Sequence, residues 1–208
     1  MIVVHHLNDS RSERILWLLE ELGLGYEIKQ YQRDAKTRLA PDALKAVHPL
    51  GKSPVMTDGD RTVHESGAII DYLIRHHGNG RLQPAPDTAA YDSYVQWLHY
   101  AEGSAMLPLM LHLYTGRLGE AAAPLRPRID DEIANHLGYV DGALRDKEFL
   151  MGDDFTGADI QMSFVAEVAG AFGLRAAYPA MDAWIKRLHD RPAYKAAVER
   201  GGPYSMAR

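Results

Sequence analysis

Hydrophobic and polar positions follow two different periods in the first 80 residues of the chain. Runs with strand character alternate with stretches whose apolar residues recur at helical spacing. In chain order, these patterns predict strands at 2–4, 26–31, 54–57 and 62–64, and helices at 12–22, 41–47 and 65–76. A glycine lies between the last two strands, as a hairpin turn requires. The predicted order is therefore βαβ followed by ββα.

The pattern changes after a junction rich in glycine and proline, which predicts a linker over 81–87. Beyond the linker only helical periods occur, and they predict an all-helical domain over 88–208. The first of its helices is a long one, over 88–114, in which Pro108 is expected to introduce a kink. The further predicted helices cover 124–145, 156–172, 179–190 and 192–200.

Composition narrows the chemistry that this chain can perform. The 208 residues include no cysteine, 46% are hydrophobic, 25% are charged, and the formal net charge is -5. A chain of this length buries enough surface to fold without disulfides or metals. The lack of cysteine excludes a protein thiol as nucleophile or redox group. Any thiol chemistry must therefore use the sulfur of a ligand.

The same patterns indicate where the protein works and what it does not bind. We expect a cytoplasmic protein, because the N-terminus lacks the features of a secretory signal and no apolar run could span a membrane. Neither half of the chain has an excess of basic residues, so no nucleic-acid partner is expected. The paired histidines at 5–6 and 76–77 point in different directions and preform no metal site. No metal is expected.

Three segments carry a resemblance to a known family: HPLGKSPVMTDGD, HESGAIIDYL and MGDDFTGADI, in this order. Together with SRSERILWLLEELGL near the N-terminus, they resemble the cytosolic glutathione transferases, and the resemblance covers nearly the whole chain. It implies a thioredoxin-like α/β domain with a mixed sheet over 1–80 and an all-α domain over 88–208. It also implies glutathione as co-substrate, no metal, a small electrophilic second substrate and a homodimer.

The dipeptide Ser53–Pro54 is the first motif with an implied role. The resemblance implies that its peptide bond is cis, so that the backbone of Ser53 can pair with extended glutathione as an added strand would. The residues alone favour an ordinary trans proline at the start of a strand, since few bonds before proline are cis.

Glu65 and Ser66 stand where a strand gives way to a helix. Backbone N–H groups and the positive end of the helix dipole suit the α-carboxylate of the γ-glutamyl group there, and Glu65 can hold its ammonium. The alternative is that Ser66 only caps the helix.

For the glycyl carboxylate at the other end of glutathione, the resemblance favours Lys52, with Arg38 as a second cation. A surface lysine is otherwise usually just solvated, and the loop around Arg38 is too polar to align closely with the family.

The catalytic hydroxyl is expected in the loop between the first strand and the first helix. Family members use a tyrosine, serine or cysteine there to hold the glutathione sulfur. This loop has neither tyrosine nor cysteine, so Ser10 is the first candidate, with Asn8, Arg11 and Ser12 as alternatives. A competing interpretation is that Ser10 and Glu13 form a capping box, in which Ser10 caps the helix.

The electrophile is expected to contact the long helix of the second domain, with Tyr100 and Met106 as the wall of its site. Core packing is the commoner fate of such residues. Thr156 and Asp159 also match a capping box, and this one has a purely structural interpretation.

The leading prediction is therefore an enzyme that ionises the glutathione thiol for attack on a small, hydrophobic electrophile. The alternatives are another glutathione-dependent enzyme on the same scaffold, acting as a peroxidase, an isomerase or an ether- or halide-cleaving enzyme, or a non-catalytic binding protein.

Overall fold

The computed structural model describes residues 1–206 and divides into two compact units, one comprising residues 1–83 with the segment that begins at Leu188, and the other Pro84–Arg187. The first unit contains strands β1 (Ile2–Leu7), β2 (Tyr26–Tyr31), β3 (Val55–Asp58) and β4 (Arg61–His64), and helices α1 (Glu13–Leu22), α2 (Ser66–His76) and α8 (Pro192–Gly201). The second contains α3 (Ala89–Tyr100), α4 (Met106–Gly116), α5 (Arg126–Leu144) and α6 (Gly157–Ala171), followed by α7 (Pro179–His189), which ends two residues beyond the last residue of this unit.

The strands form one sheet in the order β2-β1-β3-β4. β1 runs parallel to β2 and antiparallel to β3, and β3 and β4 form the predicted hairpin, in which Gly59 adopts a φ of 57°. The predicted mixed sheet in a βαβ-ββα unit is confirmed. The short helix expected at 41–47 is reduced to the 3-10 turn Asp42–Leu44.

Helix α1 packs its predicted apolar residues completely into the first unit. Ile15, Leu16, Leu18 and Leu19 have no exposed surface. Helix α8 packs against α1, where Trp17 meets Tyr194 edge to face at 5.2 Å between ring centroids. The sequence patterns assigned this last helix, with the rest of 88–208, to the helical domain.

The long helix predicted over 88–114 is interrupted, but before Pro108 rather than at the proline itself. Pro108 lies in the first turn of α4, while the irregular segment is a π-helical turn over Ala101–Ala105 that precedes it. A proline ring collides with the carbonyl group four residues earlier in an α-helix, here that of Ser104. The wider π-turn at that carbonyl is the form in which the chain accommodates the proline.

In the helical unit α6 is the central element, because it is buried on almost every side. Thirteen of its fifteen residues, from Gly157 to Ala169, are buried. A helix buried in this way lies inside the bundle rather than at its surface.

Candidate functional site

The register of the sheet brings three loops to one end of the first unit. Val55 lies opposite His5 on one side and opposite His64 on the other. The loop after β1, the Ser53–Pro54 dipeptide before β3 and the Glu65–Ser66 dipeptide after β4 therefore emerge from the same end of the sheet. These segments contain most of the residues that the sequence assigned to catalysis and glutathione binding in this unit, whereas Arg38 lies in the loop after β2.

The Ser53–Pro54 peptide bond is cis, as the resemblance implied. The Ser53 hydroxyl donates a hydrogen bond of 2.9 Å to the carbonyl oxygen of His5, which ties the turn to β1. Pairing between β1 and β3 begins at Val55, so Ser53 stands just outside the ladder. This is the position from which a serine backbone can meet an extended peptide.

The start of α2 has an unusual backbone and a buried hydroxyl. Glu65, the N-cap residue, is exposed and has a φ of 69°, and Ser66 is the first residue of the helix and is 3% exposed. Within residues 1–206, the Glu65 side chain makes no capping bond. Since Ser66 lies inside the helix, it is not the cap that the alternative interpretation required.

Arg14 is a buried cation that sequence reasoning missed. It is 2% exposed, and its Nη1 donates a 2.9 Å hydrogen bond to the Ser66 hydroxyl, which links the start of α1 to the start of α2. The available signal was a charged residue directly beside the apolar run of α1. Buried arginines are rare enough to deserve a functional explanation.

The four candidates in the loop after β1 differ in how they are held. The Asn8 side-chain oxygen accepts from the backbone N–H of Arg33 at 2.8 Å, and Arg11 is partly exposed. Ser12 has no exposed surface, so a ligand could not reach it in this conformation. Ser10 is 4% exposed, and its Oγ lies 2.7 Å from that of Ser12.

The interpretation of Ser10 and Glu13 as a capping box does not match the helix start. Helix α1 begins at Glu13, so Ser12 is the N-cap residue, and in the described part of the chain its hydroxyl makes no capping bond. The Ser10 hydroxyl accepts from the backbone N–H of Ser12 at 3.2 Å, one turn ahead of the helix.

A buried histidine supports the serine pair. Nδ1 of His6 lies 2.8 Å from the Ser12 hydroxyl, and Nε2 lies 3.5 Å from Oε1 of Glu13. Burial lowers the pKa of His6 to about 4, although a hydrogen bond with the backbone of Gly201 opposes this effect. The ring is therefore neutral at pH 7 and serves as a hydrogen-bonding group.

Asp9 anchors the same loop to two other segments. One carboxylate oxygen accepts from the backbone N–H and the hydroxyl of Ser205, at 2.9 and 2.8 Å, and the other pairs with Arg38 at 3.1 Å. Burial would raise the pKa of Asp9, but the hydrogen bonds from Ser205 and Arg38 lower it overall. Arg38 thus has a structural partner, whereas Lys52 projects from an exposed position.

The two residues expected at the electrophile site have different environments in the helical unit. Tyr100 lines a cavity of about 610 Å³ together with Trp97 and Tyr139, which stack on each other. Its hydroxyl lies 2.7 Å from Nδ1 of His136, and burial, with a smaller effect of Tyr139, raises its pKa to about 12. Met106 is 2% exposed and belongs to the core.

Across residues 1–206, no helix has the length and apolar character needed to cross a membrane. Over the same range, no group of three or more histidine, aspartate or glutamate residues is arranged to hold a metal ion.

A βαβ-ββα unit with a cis-proline before its third strand, followed by a bundle around a buried helix, defines a two-domain protein of the thioredoxin-like class. The sequence matches the glutathione S-transferase N-terminal domain over residues 1–75 and the glutathione S-transferase C-terminal domain over residues 94–192. The chain belongs to the glutathione S-transferase family.

Individual relatives agree with this assignment over nearly the full chain. Glutathione S-transferase 3 of Schizosaccharomyces pombe is 36% identical, in an alignment that covers 96% of this chain and 88% of the relative. A crystal structure of a glutathione S-transferase from Actinobacillus pleuropneumoniae is 35% identical, with a TM-score of 0.90, over 100% of this chain and 96% of that one. A sphingomonad glutathione S-transferase, solved in complex with glutathione, is 25% identical with a TM-score of 0.78, over 96% and 98% of the two chains.

Proposed function

We propose that this glutathione transferase binds glutathione at the sheet end formed by Ser53, Glu65 and Ser66, and that the Ser10 hydroxyl holds the thiol as a thiolate. The observation that carries the proposal is the register of the sheet, which brings the loop after β1, the cis-proline turn and the start of α2 to one end. The related sphingomonad enzyme binds glutathione.

Each part of glutathione has a matching group at this end of the sheet. The backbone of Ser53 pairs with the cysteinyl backbone as an added strand would. At the start of α2 the helix dipole and the Ser66 hydroxyl suit the α-carboxylate, and the exposed Glu65 carboxylate suits the ammonium beside it. We assign the glycyl carboxylate to Lys52, because Arg38 already pairs with Asp9.

Activation of the thiol is the chemical task of the loop after β1. A thiol near the start of a helix has its pKa lowered from about 8.5 into the range of roughly 3.5 to 7.5. A hydroxyl that donates a hydrogen bond to the thiolate stabilises it by a further amount of about 1.5 to 3 kcal/mol, as is usual for hydrogen bonds to charged groups. Because Ser12 is fully buried, Ser10 is the hydroxyl that we assign to the sulfur.

The thiolate then attacks an electrophilic carbon of a small, hydrophobic substrate, and the rate gain comes from the raised thiolate fraction and from orientation. For the wall of the electrophile site we retain Tyr100, which lines the aromatic cavity, whereas the buried Met106 is assigned to the core. Family membership also supports a homodimer in the cytoplasm, which light scattering and cell fractionation test.

The Ser10→Ala variant tests this function. We expect the pKa of bound glutathione to rise and conjugation of an aryl halide to fall roughly tenfold or more without disappearing, because the helix start still favours the thiolate. The thiolate absorbance, followed by pH titration, measures the first effect and a steady-state assay the second.

Ser163→Ala is the matched control, since Ser163 is similarly buried and its hydroxyl donates locally, to the carbonyl of Ile160 in α6. Full activity and an unchanged thiol titration in Ser10→Ala would show that Ser10 does not act on the sulfur. Variants of Arg11 and Asn8 would then be tested in the same way. Product analysis separates conjugation from peroxidase activity, which accumulates glutathione disulfide, and from isomerase activity, which regenerates glutathione.

A further inference from the structure

Arg33 lies two residues after the end of β2 and contacts the loop that carries Ser10. Because β1 and β2 run parallel, the segments that follow the two strands emerge side by side. The Arg33 guanidinium donates to the carbonyl oxygen of Asn8 through Nε at 3.0 Å and to that of Asp9 through Nη2 at 3.1 Å. One side chain therefore holds two consecutive carbonyl groups of the loop after β1.

A third contact of the same guanidinium reaches the loop after β2. Nη1 donates to the carbonyl oxygen of Arg38 at 3.0 Å. Arg38 and Asp9 have φ angles of 60° and 50°, in the left-handed region that residues other than glycine seldom adopt. Such conformations persist only where the surrounding structure holds them. Arg33 contributes to this support, because it binds the carbonyl groups of both residues.

The contact with Asp9 bears directly on Ser10. The carbonyl group of Asp9 and the N–H of Ser10 belong to one planar peptide unit, so a hydrogen bond that fixes this carbonyl also fixes the plane from which Ser10 begins. On the other side, the Ser10 hydroxyl accepts from the backbone N–H of Ser12 at 3.2 Å. Arg33 and Ser12 together determine where the Ser10 hydroxyl lies.

The surroundings of Arg33 are electrostatically unfavourable for a cation. Burial lowers the pKa of Arg33, as does the charge of Arg38. The Asp9 carboxylate opposes this effect, and Arg11 adds to it. A guanidinium nevertheless stays protonated, and its rigid planar fork presents donors to several acceptors at once, which an ammonium group cannot do. The shape of the fork, rather than the charge, is what this position requires.

We propose that Arg33 is a positioning residue for thiol activation, which fixes the Ser10 hydroxyl where it can donate to the glutathione sulfur. The inference rests on the proposed function of Ser10. The hydrogen bonds of Arg33 go to Asn8, Asp9 and Arg38. Arg33 should therefore control the ionisation of the thiol and leave the affinity for the peptide unchanged.

The Arg33→Gln variant separates these two effects. We expect the pKa of the bound glutathione thiol to rise by about one unit and kcat for an aryl halide to fall roughly tenfold, because a displaced catalytic group loses at least this much. A pH titration of the thiolate absorbance and a steady-state assay measure the two changes. S-methylglutathione has no thiol to ionise, so calorimetry should show that it binds the variant and the native protein equally well.

Arg81→Gln is the matched control, because Arg81 also donates to a backbone carbonyl group, that of Leu22 at the far end of α1, and undergoes the same change of charge. It should leave the thiol pKa unchanged. A loss of S-methylglutathione binding as large as the loss of conjugation in Arg33→Gln would show a purely structural role and overturn the inference. A native thiol pKa in that variant would overturn it as well.

A double variant with Ser10→Ala identifies the group through which Arg33 acts. Arg33→Gln should change the thiol pKa much less in the Ser10→Ala protein than in the native protein, because the two residues belong to one unit. An equal change in both proteins would overturn the inference. No effect of Ser10→Ala by itself would instead overturn the proposed function.

Arg33→Lys takes the place of Arg33→Gln if the latter does not fold. Lysine keeps the charge, but its ammonium group cannot span the three carbonyl groups, so the thiol pKa should still rise, and it should do so only when Ser10 is present. A native thiol pKa in Arg33→Lys would show that the charge alone suffices and would overturn the inference.

Discussion

The starts of α1 and α6 have the same sequence spacing and different structures. In each, a hydroxyl residue precedes an acidic residue by three positions: Ser10 and Glu13 at α1, and Thr156 and Asp159 at α6. At α6 the capping box is complete, with Thr156 as N-cap and Asp159 bonded back to its N–H at 2.9 Å. At α1 the helix begins at Glu13 itself.

The difference lies in the partners that the acidic residue finds. Asp159 also accepts from the backbone N–H of Leu150 at 2.9 Å and from the indole of Trp184 at 3.0 Å, so it joins three segments of the helical unit. The Glu13 carboxylate instead contacts His6 on β1, and the hydroxyl of Ser12, the N-cap residue, contacts the same histidine. At the start of α6 the capping residues are engaged in structural hydrogen bonds. At the start of α1, Ser10 lies ahead of the helix, next to the proposed position of the sulfur.

The largest effect expected from this comparison is the loss of the Asp159 carboxylate. Asp159→Ala removes the acceptor of four donors in a fully buried position, and each buried unsatisfied group costs about 1 to 3 kcal/mol. We expect the free energy of unfolding to fall by about 3 kcal/mol or more, measured by chemical denaturation. Asp154→Ala, at an exposed position just before α6, should change it little. A cost under about 1 kcal/mol would contradict this structural role.

The start of α1 should respond to acid through His6. Its pKa is about 4 in the folded protein and about 6.5 when unfolded, so the unfolded chain takes up the proton first as the pH falls. Stability should therefore decrease between pH 6.5 and pH 4, by up to about 3 kcal/mol, in denaturation curves recorded across that range.

His6→Asn should flatten this dependence, while His99→Asn, at an exposed position in α3, should retain it. An unchanged slope in His6→Asn would assign the acid sensitivity to other groups.

The smallest effect concerns the cap of α6. Thr156→Ala removes a side chain that accepts from the backbone N–H of Ala158, and such losses cost about 1 kcal/mol. Thr156→Ser keeps the hydroxyl and should restore most of the stability in the same denaturation assay. If both variants were equally unstable, packing of the threonine methyl group would be responsible rather than the cap.

Features that depend on residues close together in the sequence were predicted correctly. The hairpin at Gly59, the apolar side of α1 and the capping box at Thr156 depend on residues a few positions apart, and all three are present. The sequence predicted a kink at Pro108, but the irregular π-turn lies before it, at Ala101–Ala105. The proline ring acts on the carbonyl group four residues earlier, and the pattern marked only the proline itself.

Local spacing could not distinguish the two helix starts, since the same pattern of a hydroxyl and an acid occurs at both. The deciding groups come from elsewhere in the chain: His6 on β1 for α1, and Trp184 in α7 for α6. The contact between Arg14 and Ser66 likewise spans 52 positions and leaves no periodic signal.

The sequence by itself determined the order of strands and helices and the absence of a protein thiol, and its resemblance to a family identified the class of enzyme. These properties depend on composition, on periodicity and on motifs that can be recognised in one dimension. The tertiary structure decided which loops meet at one end of the sheet, that α1 starts one residue after Ser12, and that a buried arginine stands behind Ser66. Those features depend on burial and on hydrogen bonds between distant residues, which exist only once the chain has folded.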